Sequence, residues 1–249
     1  MRLRHIALGC TLTGALGCLM LSSATARADI QAPGKASRTT PKLTISAPSA
    51  DSNYRSKIKL TVSLGPTFTN RKVSLYAKPD GQARKLVATG RVNAKGKWYP
   101  DYTITWSTKF TVAFAGDSRY AATTASTAVQ AYAKVADRIG GFYTTQKVGK
   151  ITYDVFHGSG TLTLYSAVSP AKPTQCLEPE TQQLDGKTWD ADTKYGCDQL
   201  TAASQDTAPF SLNMAVGDHY RIRGDYYRSS KDHNNLNDHG SWLYFEVVK

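Results

Sequence analysis

After its first two dozen residues the chain has no apolar run near the ~20 residues that a membrane span needs. No window carries the 3.6-residue period of an amphipathic helix. Cysteine is scarce, with four in 249 residues; Cys10 and Cys18 fall in the N-terminal apolar segment, which leaves Cys176 and Cys197. The patterned chemistries are missing as well. His157-Gly158-Ser159-Gly160 lacks the G-x-S-x-G form of a nucleophile elbow and falls in a predicted turn. The donors Asp232, Asn234, Asn235, Asn237 and Asp238 lack the ordered D-x-[DN]-x-[DN]-G spacing of a calcium loop and read as an ordinary polar hairpin loop. His157, His219, His233 and His239 are not spaced as a zinc site. These absences argue against an enzyme, and no cofactor or metal is expected.

What is present begins with a targeting pattern. Arg2 and Arg4 precede an apolar stretch from Ile6 to Leu21, and Ala26-Arg27-Ala28 is an A-x-A cleavage site. Residues 1–28 therefore read as a secretory signal peptide. The rival is a lipoprotein acylated at Cys18, but Ala15 stands where a lipobox usually has Leu, and the residues after Cys18 are still apolar. In an exported chain Cys176 and Cys197 are expected to form one disulfide, worth roughly 3 kcal/mol in the chain-entropy model.

Charge divides the chain. Residues 29–135 hold 17 Lys and Arg against 5 Asp, a net +12; residues 136–249 hold 11 against 14 carboxylates, a net −3. For an exported protein a basic half points to cell-wall polymers, anionic head groups or extracellular nucleic acid, against the plainer use of charge for solubility.

Residues 29–41 are rich in Pro, Gly, Ser and Thr and read as a flexible linker. Strand patterns then follow at short intervals: Leu43 and Ile45; Ile58, Leu60, Val62 and Leu64; Val73, Leu75 and Ala77; Lys85 to Val92; Tyr102 and Ile104; Phe110, Val112 and Phe114; and a last strand from Val129 to Val135. Seven short strands separated by turn residues predict an antiparallel β-sandwich of immunoglobulin type over 42–135. The stretch FTVAFAGDSRYAATTAST, with Gly116, Asp117 and Tyr120, resembles the bacterial Ig-like repeats of exported surface proteins, in which an aromatic-x-GD-x-x-Y-x-x-S/T segment precedes the final strand. The resemblance implies a spacer or adhesive module without catalytic residues. Residues 136–249 share only the pattern and predict a second β-sandwich, interrupted by a polar, disulfide-closed insertion at 171–209. The fold class is thus all-β, with two antiparallel sandwiches in tandem.

Two candidate surfaces follow from the alternation. In the second half, Tyr220, Ile222 and Tyr226 point inward, so Arg221, Arg223, Asp225 and Tyr227 point out; on the last strand Trp242, Tyr244 and Glu246 join them. Aromatic faces stack on sugars or other planar ligands and Arg forks onto carboxylates or phosphates; the alternative is cross-strand pairing that only stabilises the sheet. In the first half, Lys57, Lys59, Lys72 and Lys78 take outward positions and form a cationic surface. Arg223-Gly224-Asp225 spells an integrin tripeptide inside a strand and is read as coincidence. The carboxylates Glu178, Glu180, Asp185, Asp190 and Asp192 read as solvated loop charge.

The expected function is an exported, non-enzymatic binding or structural protein on anionic or glycan polymers of the cell envelope, with no specific nucleic acid. It would be secreted or extracellular and wall-associated. The rivals are a hydrolase or inhibitor acting through the 171–209 insertion, and a pure spacer.

Overall fold

The computed structural model describes residues 38–65 and 69–249, and these form an all-β protein with no helix among them. The signal-peptide reading and most of the linker lie outside the described residues. The first half contributes β1 (Thr44–Ser46), β2 (Asp51–Ser52), β3 (Lys57–Lys59), β4 (Thr61–Ser63), β5 (Lys72–Pro79), β6 (Lys85–Arg91), β7 (Lys97–Trp98), β8 (Asp101–Thr103), β9 (Thr108–Phe114) and β10 (Thr123–Ala131). The second contributes β11 (Lys134–Gly140), β12 (Thr144–Val148), β13 (Ile151–His157), β14 (Thr161–Ser169), β15 (Cys176–Asp185), β16 (Thr188–Lys194), β17 (Asp198–Gln199), β18 (Gln205–Ser211), β19 (His219–Tyr227), β20 (Asp238–His239) and β21 (Leu243–Val248).

A five-stranded sheet in the order β2-β10-β9-β5-β6 packs with two small sheets, β1-β4-β7 and β3-β8. Between them lies one apolar cluster that includes Leu60, Leu64, Leu75, Ile104 and Phe110, all fully buried. Burying each such side chain contributes about 2 kcal/mol, so this interior carries the sandwich rather than any surface pair. In the second half a three-stranded sheet, β11-β14-β18, faces an eight-stranded one whose path is β12-β13-β21-β19-β15-β16, with β17 on β15 and β20 on β19. Its interior has two clusters, one around Phe156, Tyr220 and Phe245 and one around Val168, Leu177 and Tyr226. Pairing is antiparallel except for β2 with β10 and β13 with β21.

The turn after β9 shows why the segment Gly116 to Tyr120 is written as it is. Gly116 has φ +82°, and a Cβ there would lie 2.8 Å from the Ala122 amide nitrogen. Asp117 Oδ1 accepts the amide protons of Arg119 and Tyr120 at 2.8 and 3.0 Å, an Asx-type turn. Those amides, the Arg119 one foremost, hold the Asp117 carboxyl below its ordinary range, and Arg71 pairs with it at 3.0 Å.

Several expectations change. Residues 38–41, read as flexible, are docked: Arg38 donates to Asp117 O at 2.9 Å, Thr39 bridges to Tyr120, and Pro41 is buried. The strand read as Val129 to Val135 is two strands, because β10 ends at Ala131 and β11 starts at Lys134 on a different sheet. The polar insertion at 171–209 is not a loop. It supplies β15 to β17 and most of β18, and β15 pairs with β19 over eight residues. Its apolar half was hidden by polar neighbours: Leu177, Pro179 and Thr181 are buried on one side while Glu178 and Gln182 face the other. The Cys176–Cys197 disulfide is present and ties β15 to the segment between β16 and β17.

The loop between β19 and β20 is the largest correction. Instead of a free polar hairpin it is a clasp between the two halves. Asn235 is 0% exposed and donates to Thr105 O and Tyr132 O at 3.1 and 3.2 Å. Asn234 O accepts from the Ser107 amide at 2.7 Å, and Leu236 exchanges backbone hydrogen bonds with Ala131 and Ala133. Asp232 anchors the loop from behind: its Oδ2 meets Lys172 Nζ at 2.7 Å and the Tyr226 hydroxyl at 2.6 Å. Lys172 and Asp232 are both almost wholly buried, an arrangement that requires their mutual pairing. Burial opposes ionisation of Asp232, but the hydrogen bonds from Lys172, Tyr226 and the Asn234 amide outweigh it and hold the carboxyl below its usual range.

Candidate functional site

The outward face of the eight-stranded sheet brings together the residues expected of it. β19 and β21 are neighbours, with Arg221 opposite Tyr244 and Tyr220 opposite Phe245. Arg221 lies over the rings of Trp189 and Trp242 at 4.6 and 4.3 Å, and Arg223 lies over Trp242 at 4.2 Å. Trp189 packs against Tyr244, and Tyr244 against Tyr153. Gln182 accepts from two nitrogens of Arg221, and Glu180 accepts from Arg223 at 3.0 Å. Arg223 also pairs with Asp225 at 2.8 Å. Tyr227 accepts from Lys194 at 3.2 Å.

This face is therefore already occupied by its own groups. Guanidinium planes cover the indoles, and acceptors on β15 and β19 take the guanidinium protons. Glu180 and Asp225 are buried, which corrects the reading of Glu180 as solvated loop charge and of Asp225 as an open outward residue. Burial pushes the Asp225 carboxyl up, and its hydrogen bond with Glu180 adds to that. For Glu180 burial acts the same way, yet hydrogen bonds from Gln182 and Asp225 and the charge of Arg223 bring it below the ordinary range. The Arg-Gly-Asp tripeptide lies wholly within β19, in the middle of this network. Glu246, also read as outside, is nearly buried against His219.

The outward face of the five-stranded sheet is built the other way. Lys72 stands directly opposite Arg91 and Lys78 directly opposite Lys109. Registered residues share a face, and like charges in that position destabilise a sheet. Between these pairs Arg84 lies over the ring of Tyr76 at 4.0 Å. None of Lys72, Lys78, Arg84, Arg91 and Lys109 has an ion-pair partner among the described residues. At one end the face deepens into an open cleft of about 510 Å³ lined by Arg71, Lys72, Ser74, Tyr76, Arg91 and Asp117. Arg91 is steadied there by donating to Asn70 O at 2.8 Å.

Lys57 and Lys59 do not join this surface. They belong to β3 of the small sheet, while Lys72 and Lys78 belong to β5, so the four lysines are divided between sheets. On β3 the charge is partly compensated, since Lys59 is registered with Asp101 and Lys57 reaches the same carboxylate at 2.9 Å. Arg84, Arg91 and Lys109 were not singled out from the sequence. Lys109 was findable, because it precedes Phe110 at an outward position of an alternating strand. Arg91 was not, because the β5–β6 register shifts between Leu75 and Tyr76. Trp189 was hidden within the misread insertion. No group of three or more His, Cys, Asp or Glu able to hold a metal occurs among the described residues.

No protein-family model and no curated protein matches the chain. Among solved structures, it is similar to one described as the D0-D1 domain of Intimin, at 11% identity over 81% of this chain and 97% of that one, with a TM-score of 0.28.

Proposed function

We propose that the protein is an exported, non-enzymatic module that binds anionic polymer of the cell envelope through the outward face of the β5–β6–β9 sheet. The observation that carries this reading is the two like-charged cross-strand pairings, Lys72 with Arg91 and Lys78 with Lys109. None of the four has an ion-pair partner among the described residues, the nearby Asp117 being paired with Arg71. A sheet that served only as a spacer gains nothing from opposing cations, whereas a polyanion laid across them relieves the repulsion. The targeting pattern at the N-terminus and the disulfide suit an exported protein.

The same comparison weakens two other readings. Glycan stacking on Trp242 would have to displace Arg221 and Arg223 from its ring, and Tyr244 is already packed against Trp189 and Tyr153. For a hydrolase working through the segment at 171–209, the buried carboxylate of that segment, Glu180, is already paired with Arg223, which also holds Asp225 on β19.

The test is retention of the protein, lacking its signal segment, on purified anionic wall polymer across a salt series. Binding at low ionic strength that falls steeply with salt is expected. Replacing Lys72, Lys78, Arg91 and Lys109 together by Gln should abolish it, while Trp242→Ala should leave it unchanged. Retention that ignores salt, or that survives the quadruple substitution, overturns the proposal.

A further inference from the structure

The cations of this face are arranged in a line, and the line says what shape of ligand it takes. Lys72, Ser74, Tyr76 and Lys78 are the outward residues of β5, the strand that lies between β9 and β6. At about 3.3 Å per residue the six steps from Lys72 to Lys78 span about 20 Å. Each end carries two cations side by side, Lys72 with Arg91 and Lys78 with Lys109. The middle carries Arg84 over Tyr76. Ser74 and Thr111 add hydroxyls rather than bulk along the way, and Thr111 shares a hydrogen bond with Ser126 on β10.

We infer that β5 is the floor of a linear track for a single extended chain of phosphodiester-linked units, gripped at both ends. This rests on the polyanion reading above and goes on to name the ligand's shape and chemistry. Outward positions on one strand recur about every 7 Å, so an extended phosphodiester chain laid along β5 meets cations at Lys72, at Arg84 over Tyr76 and at Lys78, with the Ser74 hydroxyl between the first two. A compact anion can satisfy one end only, since the two pairs are about 20 Å apart. Single-stranded nucleic acid has the same linkage but adds base stacking on aromatic rings to its backbone contacts. The one ring among these outward β5 positions, Tyr76, already lies against Arg84. A polyol-phosphate chain without bases is the occupant this face fits.

When one chain engages both ends, the second contact is intramolecular and affinity rises without new contacts. The experiment measures binding of synthetic glycerol-phosphate oligomers of two, four and eight units by calorimetry at low salt. The eight-unit chain is expected to bind at least about tenfold more tightly than the two-unit chain. Two double variants test the ends separately: Lys72→Gln with Arg91→Gln, and Lys78→Gln with Lys109→Gln. Each should remove the advantage of length while the two-unit probe still binds at the intact end. All of these changes are on exposed side chains, and unchanged far-ultraviolet circular dichroism confirms the fold.

If oligomers of all lengths bind alike, or only one double variant matters, the track is wrong while the polyanion reading stands. If no oligomer and no anionic wall polymer binds at low salt, the polyanion reading itself fails. A thymidine oligonucleotide of equal charge that binds more tightly than the glycerol-phosphate chain overturns the choice of ligand.

Discussion

On the eight-stranded sheet each outward arginine of β19 meets an acceptor and an indole; on the five-stranded sheet lysine meets arginine or another lysine across the strands. Both faces were legible as rows of polar and aromatic side chains, and on sequence grounds the aromatic one looked the better binding surface. Pairing reverses that order. Arg221 and Arg223 are consumed by Gln182, Glu180, Asp225, Trp189 and Trp242. Lys72, Lys78 and Lys109 have no such partners among the described residues. A charged group that is already paired is structure; one held next to its own kind is available for something else.

The comparison can be broken most forcefully at Arg223. Removing it leaves Glu180 and Asp225 buried without their cation, and loss of one partner from a buried ionic group costs about 3 kcal/mol. Arg223→Ala should therefore lower urea stability by about that amount. Adding Glu180→Gln and Asp225→Asn to it should restore part of the loss. A change below about 0.5 kcal/mol would mean that this face is no more satisfied than the other.

Acid sharpens the same contrast at the clasp. Asp232 titrates below its unfolded value of about 3.9 because Lys172, Tyr226 and the Asn234 amide outweigh its burial. The stability its charged form contributes is complete above the unfolded pKa and is lost as the pH falls through the lower folded value. Urea midpoints should thus fall below about pH 4, and Asp232→Asn should flatten that limb while lowering stability at neutral pH. The lysines of the cationic face take no part in the Asp232 network, so their variants should share the acid limb of the parent protein. A Lys78→Gln protein with a flattened acid limb would contradict the assignment.

Trp242→Ala is the next smaller effect. It removes the ring shared by both guanidinium groups, and partly buried cation–π contacts contribute roughly 1 kcal/mol. Loss of stability with intact polymer binding is expected. Lost binding with intact stability would restore the aromatic face as the functional one.

How much of this was visible beforehand depends on where the pairing information lies. The alternation of Phe110, Val112 and Phe114, or of Tyr220 and Ile222, states which side of a strand is buried, and the structure agrees. It does not state which strand lies alongside. Glu180 and Arg223 are 43 residues apart and are joined only because β15 pairs with β19. The segment containing β15 looked like a loop because its buried positions include Pro179 and Thr181, which carry little apolar signal. Asn235 was misread for a related reason: a polar side chain can be fully buried when two carbonyls await it, and those carbonyls belong to Thr105 and Tyr132, more than a hundred residues away.

The smallest effect is the most discriminating. Lys109→Glu turns a like-charged cross-strand pair with Lys78 into an opposite-charged one. Cross-strand charge pairs are worth a few tenths of a kcal/mol to about 1 kcal/mol, so the substitution should raise stability by about 0.5 kcal/mol at low ionic strength, with the gain shrinking as salt screens it. The same substitution should weaken binding of anionic polymer, because one end of the cationic row then carries no net charge. Stability and binding moving in opposite directions on one residue is the signature of a charge kept at a cost to the fold. If Lys109→Glu lowers both, Lys109 is an ordinary structural residue and the two faces differ less than their pairing indicates.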